Sequence, residues 1–411
     1  MNDAIDFIAV RDGFPMLKST MHGKPLVYLD SAATTHKPEK VISAMSDFYR
    51  NEYATVHRAI YELSLHATER YNAVRGVVKN FINAPSENTI VFTRGTTESI
   101  NLVASSFGKS FITTGDEVVI SEIEHHSNIV PWQLMCEERG AVLRVIPVDD
   151  NGEIIIEEYR KMLGAKTKLV AICHVANSIG TVLPVKEMVS MAHDVGAKTL
   201  VDGAQAAPHY PIDVQDLDAD FYAFSGHKVY GPTGIGILYG KKELLEALPP
   251  YHGGGDMVDI VTMAKTTYQQ PPLKFEAGTP MIAEVIGLGA ALEYVMDKGI
   301  ETIHSYEEKL LGYALDCFDN SGIDGLKVLG PCKARRSGIV SFIVDGIHSL
   351  DIGTMLDFKG VAIRTGHHCA QPTMERFGVT STARMSLGIY NNESDIDIFF
   401  EGLKEVVAKL R

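Results

Sequence analysis

The chain has 411 residues, which predicts two domains and a hydrophobic core that needs no disulfides or structural metal. Hydrophobic residues make up 45% and charged residues 22%, as in ordinary soluble enzymes, so bulk disorder is excluded. The 52 acidic and 38 basic residues give a net charge of −14, which argues against nucleic acid as the main partner. The sequence has no run of 18 apolar residues, no secretory signal and only five cysteines, so we expect a cytoplasmic protein with reduced thiols and no membrane association.

From residue 88 to residue 240, short runs rich in Val, Ile and Phe alternate with amphipathic segments. This alternation predicts an α/β fold with a mostly parallel sheet covered by helices. The predicted strands are Ile90–Thr93, Glu117–Ser121, Val142–Pro147, Leu169–His174, Thr199–Asp202, Phe221–Ser225 and Ile235–Tyr239. The predicted helices among them are Thr96–Phe107, Asn128–Arg139, Glu157–Leu163 and Val185–Val195.

The segments on either side suggest a second, smaller domain. The stretch Tyr251–Pro272 is rich in Gly and Pro and is predicted to be irregular. Further helices are predicted at Pro38–Tyr53, Ser64–Ile82, Met281–Lys298, Glu301–Asn320, Asp351–Lys359 and Glu393–Leu410, and further strands at Gly338–Val344, Val361–Arg364 and Met385–Leu387. We expect a large domain over residues 20–280 and a small α+β domain over residues 281–411, joined by the N-terminal segment 1–19.

One motif has the features of an anion site. In Thr93-Arg94-Gly95-Thr96-Thr97-Glu98 a strand ends and a helix begins, so free N–H groups and the hydroxyls of Thr96 and Thr97 suit a phosphate. By itself, the motif is more typical of a simple helix cap in which Glu98 favours the helix dipole.

Two more strand ends carry charged residues. Asp202 ends an apolar strand, where open α/β sheets place ligand groups, although a carboxylate there can also cap the following turn. Lys228, in Ser225-Gly226-His227-Lys228, lies among small residues and is a candidate Schiff-base amine. Ser225 and His227 can donate to the same phosphate. A phosphate cradle, an acid for a ring nitrogen and an amine for an aldehyde together predict a site for pyridoxal 5′-phosphate.

The chain resembles the class V, fold-type I pyridoxal-phosphate enzymes, and among them the group II (SufS-type) cysteine desulfurases. The resemblance covers nearly the whole chain, from Tyr28-Leu29-Asp30-Ser31-Ala32-Ala33 to the C-terminal helix. Its most specific segments are Glu124-His125-His126-Ser127-Asn128, Asp202 to Gln205, Ser225 to Lys228, and Arg364-Thr365-Gly366-His367-His368-Cys369-Ala370-Gln371-Pro372. It implies a mostly parallel seven-stranded sheet in the large domain.

The resemblance assigns roles to individual residues. It implies that Lys228 forms the covalent link to the cofactor, that Asp202 pairs with the pyridinium nitrogen and that Gln205 bonds the phenolic oxygen. His125 would stack on the ring and take part in proton transfer. Thr97, Ser225 and His227 match phosphate ligands, to which the helix start adds Thr96, and Thr279 would be donated by the other subunit of a homodimer. Asn177 would lie near the ring oxygen and the substrate, and Arg384 would bind the substrate carboxylate, with Arg364 and the pair His57-Arg58 nearby.

Cys369 is the thiol best placed for chemistry. It lies in a loop flanked by Gly and His, where Arg364, His367 and His368 favour the thiolate. The resemblance implies that Cys369 forms a persulfide, and the short form of this loop separates group II from group I. A zinc site built from the two His-His pairs is disfavoured, because adjacent side chains point apart on a strand and the His-His-Cys run lacks metal-ligand spacing. No metal is therefore expected.

The resemblance implies a cysteine desulfurase that converts L-cysteine to L-alanine and passes the Cys369 persulfide sulfur on for iron–sulfur cluster assembly. Selenocysteine is a second candidate substrate. Relatives served by a zinc-containing acceptor tend to carry His where Leu350 stands, so a SufE-type acceptor protein is expected.

The alternatives are another class V enzyme (a selenocysteine lyase, an aminotransferase or a kynureninase-like hydrolase) and a catalytically silent scaffold. A nicotinamide dehydrogenase is disfavoured because Gly231 to Gly240 contains no G-x-G-x-x-G that opens a helix.

Overall fold

The structure, a computed structural model, describes residues 7–411. Its strands are β1 Thr20–Met21, β2 Lys24–Pro25, β3 Val27–Tyr28, β4 Ile90–Thr93, β5 Glu117–Ser121, β6 Val142–Ile146, β7 Thr167–Cys173, β8 Lys198–Asp202, β9 Phe221–Ser225, β10 Gly236–Gly240, β11 Val258–Val261, β12 Thr266–Tyr268, β13 Leu326–Leu329, β14 Ile339–Val344, β15 Val361–Ala362, β16 Arg364–Gly366 and β17 Thr382–Ser386. Its α-helices are α1 Phe7–Asp12, α2 Glu39–Asp47, α3 Glu62–Phe81, α4 Thr96–Phe111, α5 Val130–Arg139, α6 Ile156–Met162, α7 Val185–Asp194, α8 Lys242–Ala247, α9 Ile282–Lys298, α10 Ile300–Asp319, α11 Ser349–Asp357, α12 Gln371–Arg376 and α13 Glu393–Leu410. None of these helices is long and apolar enough to cross a membrane.

A seven-stranded sheet forms the centre of the larger part of the chain. Its strand order is β4-β10-β9-β8-β7-β5-β6. The neighbours from β9 to β6 run parallel, and β10 runs antiparallel to both β9 and β4. The α/β fold with a mostly parallel sheet, predicted from the alternation of apolar and amphipathic segments, is confirmed.

The two faces of this sheet enter separate cores. Val170 and Ile172 of β7 pack into the core shared with α7 and α9, whereas Leu169 and Ala171 pack into the core shared with α4 and α5. This division follows from the two-residue period of a strand. Because both faces are covered, the sequence of β7 is a continuous apolar run instead of an alternating one.

A four-stranded antiparallel sheet, in the order β13-β14-β17-β16, forms the centre of the smaller part. Helices α10, α11 and α13 pack on it in a third core that includes Phe342 and Phe399. The N-terminal segment also contacts this part, since β3 pairs in parallel with β15 and Phe7 stacks on Tyr306 of α10. The first six residues of the predicted joining segment lie outside the described residues, and the domain division at residue 280 stays a prediction.

The prediction of an irregular segment at Tyr251–Pro272 was wrong in part. There β11 and β12 form an antiparallel hairpin in which Val258 pairs with Tyr268. Most of the hairpin's side chains are exposed, so it lacks the buried face whose alternating pattern predicts a strand from sequence.

Two glycines bring β10 close to the start of α4. A Cβ on Gly236 would lie 2.4 Å from the Cα of Gly95, so the two main chains can meet only without that side chain. Gly236 pairs with Thr93 of β4 on one side and with Ser225 of β9 on the other. The close approach therefore sets the position of two strand ends relative to the first turn of α4.

We expect Gly236→Ala to lower the free energy of unfolding by about 1–3 kcal/mol, because the added methyl group must push two main chains apart. Gly164→Ala is the matched control, since a Cβ there meets nothing within 4 Å. Its free energy of unfolding should stay within about 1 kcal/mol of wild type. Urea unfolding followed by circular dichroism measures both variants, and equal stabilities would contradict the close contact.

Candidate active site

The candidate site lies at the carboxyl ends of the parallel strands. From β5 the chain passes to β6 on one side, whereas β7, β8 and β9 follow on the other, so a crevice opens where the strand order reverses. A cavity of about 160 Å³ occupies this position. Its lining residues are Ala32, Ala33, Thr96, Thr97, His125, Ser127, Cys173, Val175, Asn177, Asp202, Ala204, Gln205, Ser225, His227, Lys228, Arg364, His368 and Arg384.

Asp202 and Lys228 form the charged centre of the cavity. Asp202 ends β8, is buried, and accepts a hydrogen bond from the N–H of Ala204 at 2.9 Å. Burial raises the pKa of Asp202, partly offset by that hydrogen bond and by Lys228. Burial lowers the pKa of Lys228 to about 8, against an opposing effect of Asp202. Near neutral pH, far more of this amine than of a surface lysine is therefore unprotonated, as a nucleophile or base requires.

Ser225 connects the end of β9 to the start of α4. Its hydroxyl accepts a hydrogen bond from the N–H of Thr96 at 2.8 Å and lies 2.7 Å from the hydroxyl of Thr96. The hydroxyl of Thr97 lies 2.7 Å from that of Ser127, and His227 lines the same cavity. Hydroxyls and N–H groups thus cluster at a helix N-terminus, where a phosphate finds donors and a favourable dipole.

His125 and Gln205 present polar atoms to the cavity. Nδ1 of His125 accepts from the N–H of Ser127 at 3.0 Å, so the proton of the neutral ring is on Nε2. Burial, followed by the charge of Lys228, lowers the pKa of His125 to about 3 and keeps the ring neutral at physiological pH. Nε2 of Gln205 donates to the carbonyl of Ala32 at 2.8 Å, while its buried Oε1 has no hydrogen-bond partner among the described residues.

These residues suit pyridoxal 5′-phosphate because they present polar and charged groups that the functional groups of the cofactor can pair with. The unpaired Oε1 of Gln205 calls for a hydroxyl donor, and a buried polar atom without a partner is uncommon in folded proteins. The buried carboxylate of Asp202 suits a protonated ring nitrogen, and the amine of Lys228 suits an aldehyde. The donors around Thr96 suit the phosphate. The groups that these cavity residues present are therefore compatible with this cofactor.

Arg384 is a fully buried cation held by two partners. One of its terminal nitrogens donates to the carbonyl of Asn177 at 2.8 Å, and the other donates to the carboxylate of Asp30 at 3.1 Å. Its Nε is buried and has no partner in the part of the chain that is described. Burial lowers the pKa of Arg384, and Asp30 opposes this effect.

Arg364 and Arg384 place two positively charged side chains next to each other at the cavity. The two arginines stand directly opposite each other in the β16–β17 ladder, where like charges repel. A carboxylate bound between them would relieve this repulsion and could take two hydrogen bonds from one guanidinium.

Cys369 lies on the loop between β16 and α12. Its Sγ is 3.6 Å from a terminal nitrogen of Arg364, which can donate a hydrogen bond to it. His368 and Cys369 both have positive φ, a left-handed conformation that costs a residue with a side chain about 1–3 kcal/mol. Cys369 itself is not among the residues that line the cavity, although its neighbour His368 is. Cys173 does line the cavity, but burial raises the pKa of its thiol well above the usual value, so this sulfur is inert.

Some predicted positions lie elsewhere. Thr279 is exposed in the loop before α9 and does not line the cavity. His57 and Arg58 do not line it either, and Arg58 pairs with Asp256. Asn177 does line the cavity, but its Nδ2 donates to the main chain of the Cys369 loop instead of pointing at open space.

The expected strand geometry of the Glu-His-His motif was wrong. His125 precedes a 3₁₀ turn at His126–Asn128, and the ring centroids of the two histidines lie 6.3 Å apart. Within residues 7–411, no group of three or more His, Cys, Asp or Glu side chains is arranged to hold a metal ion. The reasoning from sequence also missed Asp30 as the partner of Arg384 and His126 as a contact of the Cys369 loop, although both stand in motifs it had singled out.

The chain is similar to known proteins over nearly its whole length. Residues 27–399 match the model of the aminotransferase class-V family. A cysteine desulfurase of Dickeya dadantii is 50% identical over 398 residues, which cover 97% of this chain and 96% of that protein. A probable cysteine desulfurase of Mycolicibacterium paratuberculosis is 48% identical over 98% of this chain, but this chain spans only 59% of that longer protein. The crystal structure of a cysteine desulfurase from Escherichia coli matches with a TM-score of 0.92 and 40% identity, covering 100% of both chains.

We expect the Lys228 amine of the cofactor-free protein to react with 1-fluoro-2,4-dinitrobenzene with a midpoint near pH 8, because only the unprotonated amine is nucleophilic. Lys161 is the reference, since it is exposed and its contact with Glu158 raises its pKa. Asp202→Asn should move the Lys228 midpoint below that of wild type, because the carboxylate of Asp202 raises that pKa. Pulse labelling with peptide mass spectrometry gives the profiles, and a Lys228 profile that follows Lys161 would contradict the effect of burial.

Proposed function

The chain belongs to the aminotransferase class-V family, and within it to the cysteine desulfurases, and from this membership we propose that it converts L-cysteine to L-alanine with pyridoxal 5′-phosphate as cofactor and Cys369 as sulfur acceptor. The observation that carries the proposal is the meeting of Lys228, Asp202 and an arginine pair in one cavity beside the Cys369 loop. An amine, an acid, a carboxylate clamp and a thiol are the groups that this reaction needs.

Bound in this cavity, pyridoxal 5′-phosphate would supply an aldehyde and a ring that accepts electrons from the substrate. Lys228 would hold the aldehyde carbon, Asp202 would keep a proton on the ring nitrogen and Gln205 would meet the phenolic oxygen. The residues that would hold the phosphate are Thr96, Thr97, Ser225 and His227, with Thr279 of the partner subunit.

Arg384 and Arg364 would bind the carboxylate of L-cysteine and so direct its Cα–H bond. With a pKa of about 8, the amine of Lys228 is basic enough to take the Cα proton and acidic enough to return it. The ring of His125 stays neutral beside it and offers an N–H to the substrate.

The Cys369 thiolate would then attack the sulfur of the bound cysteine. An S–S bond forms while the Cβ–S bond breaks, and the electron pair of the broken bond stays with carbon. A proton delivered to this carbon completes the methyl group of L-alanine, and Cys369 is left as a persulfide. Carbon is reduced as the two sulfurs are oxidised, so the step needs no external oxidant.

The short loop between β16 and α12 supports group II (SufS-type) membership. We infer a SufE-type acceptor protein and delivery of the sulfur to iron–sulfur cluster assembly, because an exposed Leu350 stands where zinc-dependent relatives carry a histidine. All five cysteines are unpaired, which supports a reducing, cytoplasmic location. Among the alternatives, an aminotransferase has no use for a thiol beside an arginine, whereas a selenocysteine lyase would share the remaining residues.

We further propose that the enzyme is a homodimer, in which Thr279 of the partner subunit completes the phosphate site. Thr279 is exposed and lies outside the cavity of its own chain. Large apolar side chains are also exposed around the start of α3, and Ile60 there is 92% exposed. Such a patch is typical of a protein contact, and two-fold dimers are the commonest oligomers. The exposed apolar residues of this patch are Ile60, Tyr61, Leu63 and Leu65.

Light scattering of the wild type should give twice the mass of the chain. Replacing Ile60 and Leu63 together by Asp should raise the dimer dissociation constant at least about tenfold, because two charges would be buried against an apolar surface. Ile398→Asp is the control, since this exposed apolar residue lies on α13, outside the patch. A fully active wild-type monomer, or equal dissociation of the two variants, would reject this interface.

We expect Cys369→Ala to keep the cofactor and its absorbance response to L-cysteine, because no step before sulfur attack uses the thiol. Alanine release from L-cysteine should fall about 10²-fold or more, because the nucleophile is gone. Release from selenocysteine should fall less, since cleavage of C–Se places less demand on the thiol. In the wild type, mass spectrometry after addition of L-cysteine should find one extra sulfur on the Cys369 peptide and none on Cys173.

The matched control for this experiment is Cys332→Ala, which removes an exposed thiol that does not line the cavity. It should keep the wild-type rate. Wild-type alanine release by Cys369→Ala would reject the sulfur step and favour the selenocysteine lyase or aminotransferase alternative.

A further inference from the structure

The loop that carries Cys369 has an unfavourable main-chain conformation. Gly366, His368 and Cys369 have φ angles of 116°, 54° and 56°. Only the glycine adopts such angles without strain, so contacts from outside must hold the other two residues. Those contacts come from the loops that follow β5 and β7 in the large sheet.

His126 contacts two main-chain groups of the loop, and both follow the Cys369 side chain in the sequence. Its main-chain N–H donates to the carbonyl of Cys369 at 2.7 Å. Its ring Nε2 accepts from the N–H of Gln371 at 3.0 Å. Gln371 is the first residue of α12, so its N–H has no partner within the helix and the imidazole supplies one. Asn177 adds a neighbouring contact, since its Nδ2 donates to the carbonyl of His368 at 2.6 Å.

The ring contact requires one protonation state of His126. A main-chain N–H can only donate, so Nε2 must be unprotonated and the ring proton must be on Nδ1. Burial, followed by the neighbouring His367, lowers the pKa of His126 and favours this neutral form. The two adjacent histidines therefore have separate tasks, since His125 lines the cavity and His126 binds the loop.

We propose that His126 is a positioning residue for sulfur transfer, which binds the carbonyl of Cys369 and the N–H of Gln371 and so holds the thiol where it meets the substrate sulfur. This role rests on the proposed desulfurase function, but the hydrogen bond between His126 and the loop can be tested without substrate. Sulfur attack needs a defined distance between two sulfur atoms, and a misplacement of about 1 Å can cost about 10²-fold in rate.

His126→Phe tests the role, because it removes the ring acceptor and keeps the main-chain N–H and the planar ring. The amide of Gln371 should exchange with deuterium at least about fivefold faster, because one hydrogen bond is lost. Single-turnover persulfide formation on Cys369 should fall at least about tenfold. The cofactor content and the KM for L-cysteine should stay near wild type, since Lys228 and Arg384 are untouched.

His126→Gln is the matched variant, since its amide oxygen can stand where Nε2 stood. It should restore both amide exchange and sulfur transfer to within about threefold of wild type. His126→Leu is a second variant without the acceptor, in case His126→Phe does not fold. Hydrogen–deuterium exchange mass spectrometry on the cofactor-loaded enzyme without substrate measures the loop, and thermal unfolding checks that each variant is folded.

The proposal is overturned if the Gln371 amide stays protected in folded His126→Phe or His126→Leu. It is also overturned if His126→Gln exchanges as fast as those variants, or if faster exchange leaves persulfide formation unchanged. If the wild type itself forms no persulfide on Cys369, the proposed function fails, and the exchange results alone then decide whether His126 holds the loop.

Discussion

The buried charge of Arg384 is the constraint on which the arrangement of the site depends. A guanidinium that is only 1% exposed must find partners inside the protein, because an unpaired charge there is strongly destabilising. Its partners come from two distant segments, with Asp30 in the N-terminal part and Asn177 after β7. The smaller sheet can therefore bury Arg384 only while it packs against both segments, and the same packing brings Arg364 and the Cys369 loop to the cavity.

Burial shifts the pKa of several ionisable groups around the cavity, and the direction depends on which form carries the charge. It lowers the pKa of Lys228 and of His125, whose protonated forms are charged, and it raises the pKa of Asp202. Near neutral pH the imidazole of His125 is therefore neutral, and a larger fraction of the Lys228 amine is unprotonated than in a surface lysine. At the ends of the buried parallel strands, desolvation is thus the largest influence on these basic groups, and neighbouring positive charges act in the same direction.

The same principle separates the two cysteines near the site. Cys173 ends β7 in a buried strand, where burial, followed by the charges of Glu124 and Asp202, raises the pKa of its thiol. Cys369 lies on a short loop outside regular structure, next to Arg364. The loop accepts left-handed conformations at two residues, and the contacts from Asn177 and His126 compensate for this strain. The two cysteines therefore differ in main-chain conformation and in their neighbours, although the residue type is the same.

Local patterns in the sequence were enough to predict the strands of the large sheet and most residues of the cavity. Apolar runs of strand length are local, and parallel strands bring their carboxyl ends to one edge, so Asp202, Ser225 and Lys228 could be grouped before any coordinates were known. The hydrogen-bonded pairs between residues that are distant in the sequence became visible only in the folded structure. The Asp30 and Arg384 pair is separated by 354 positions and the His126 and Gln371 pair by 245, and no local pattern encodes such a distance. The exposed hairpin of β11 and β12 escaped prediction for a related reason, because its pairing buries too little apolar surface to leave a periodic signal in the sequence.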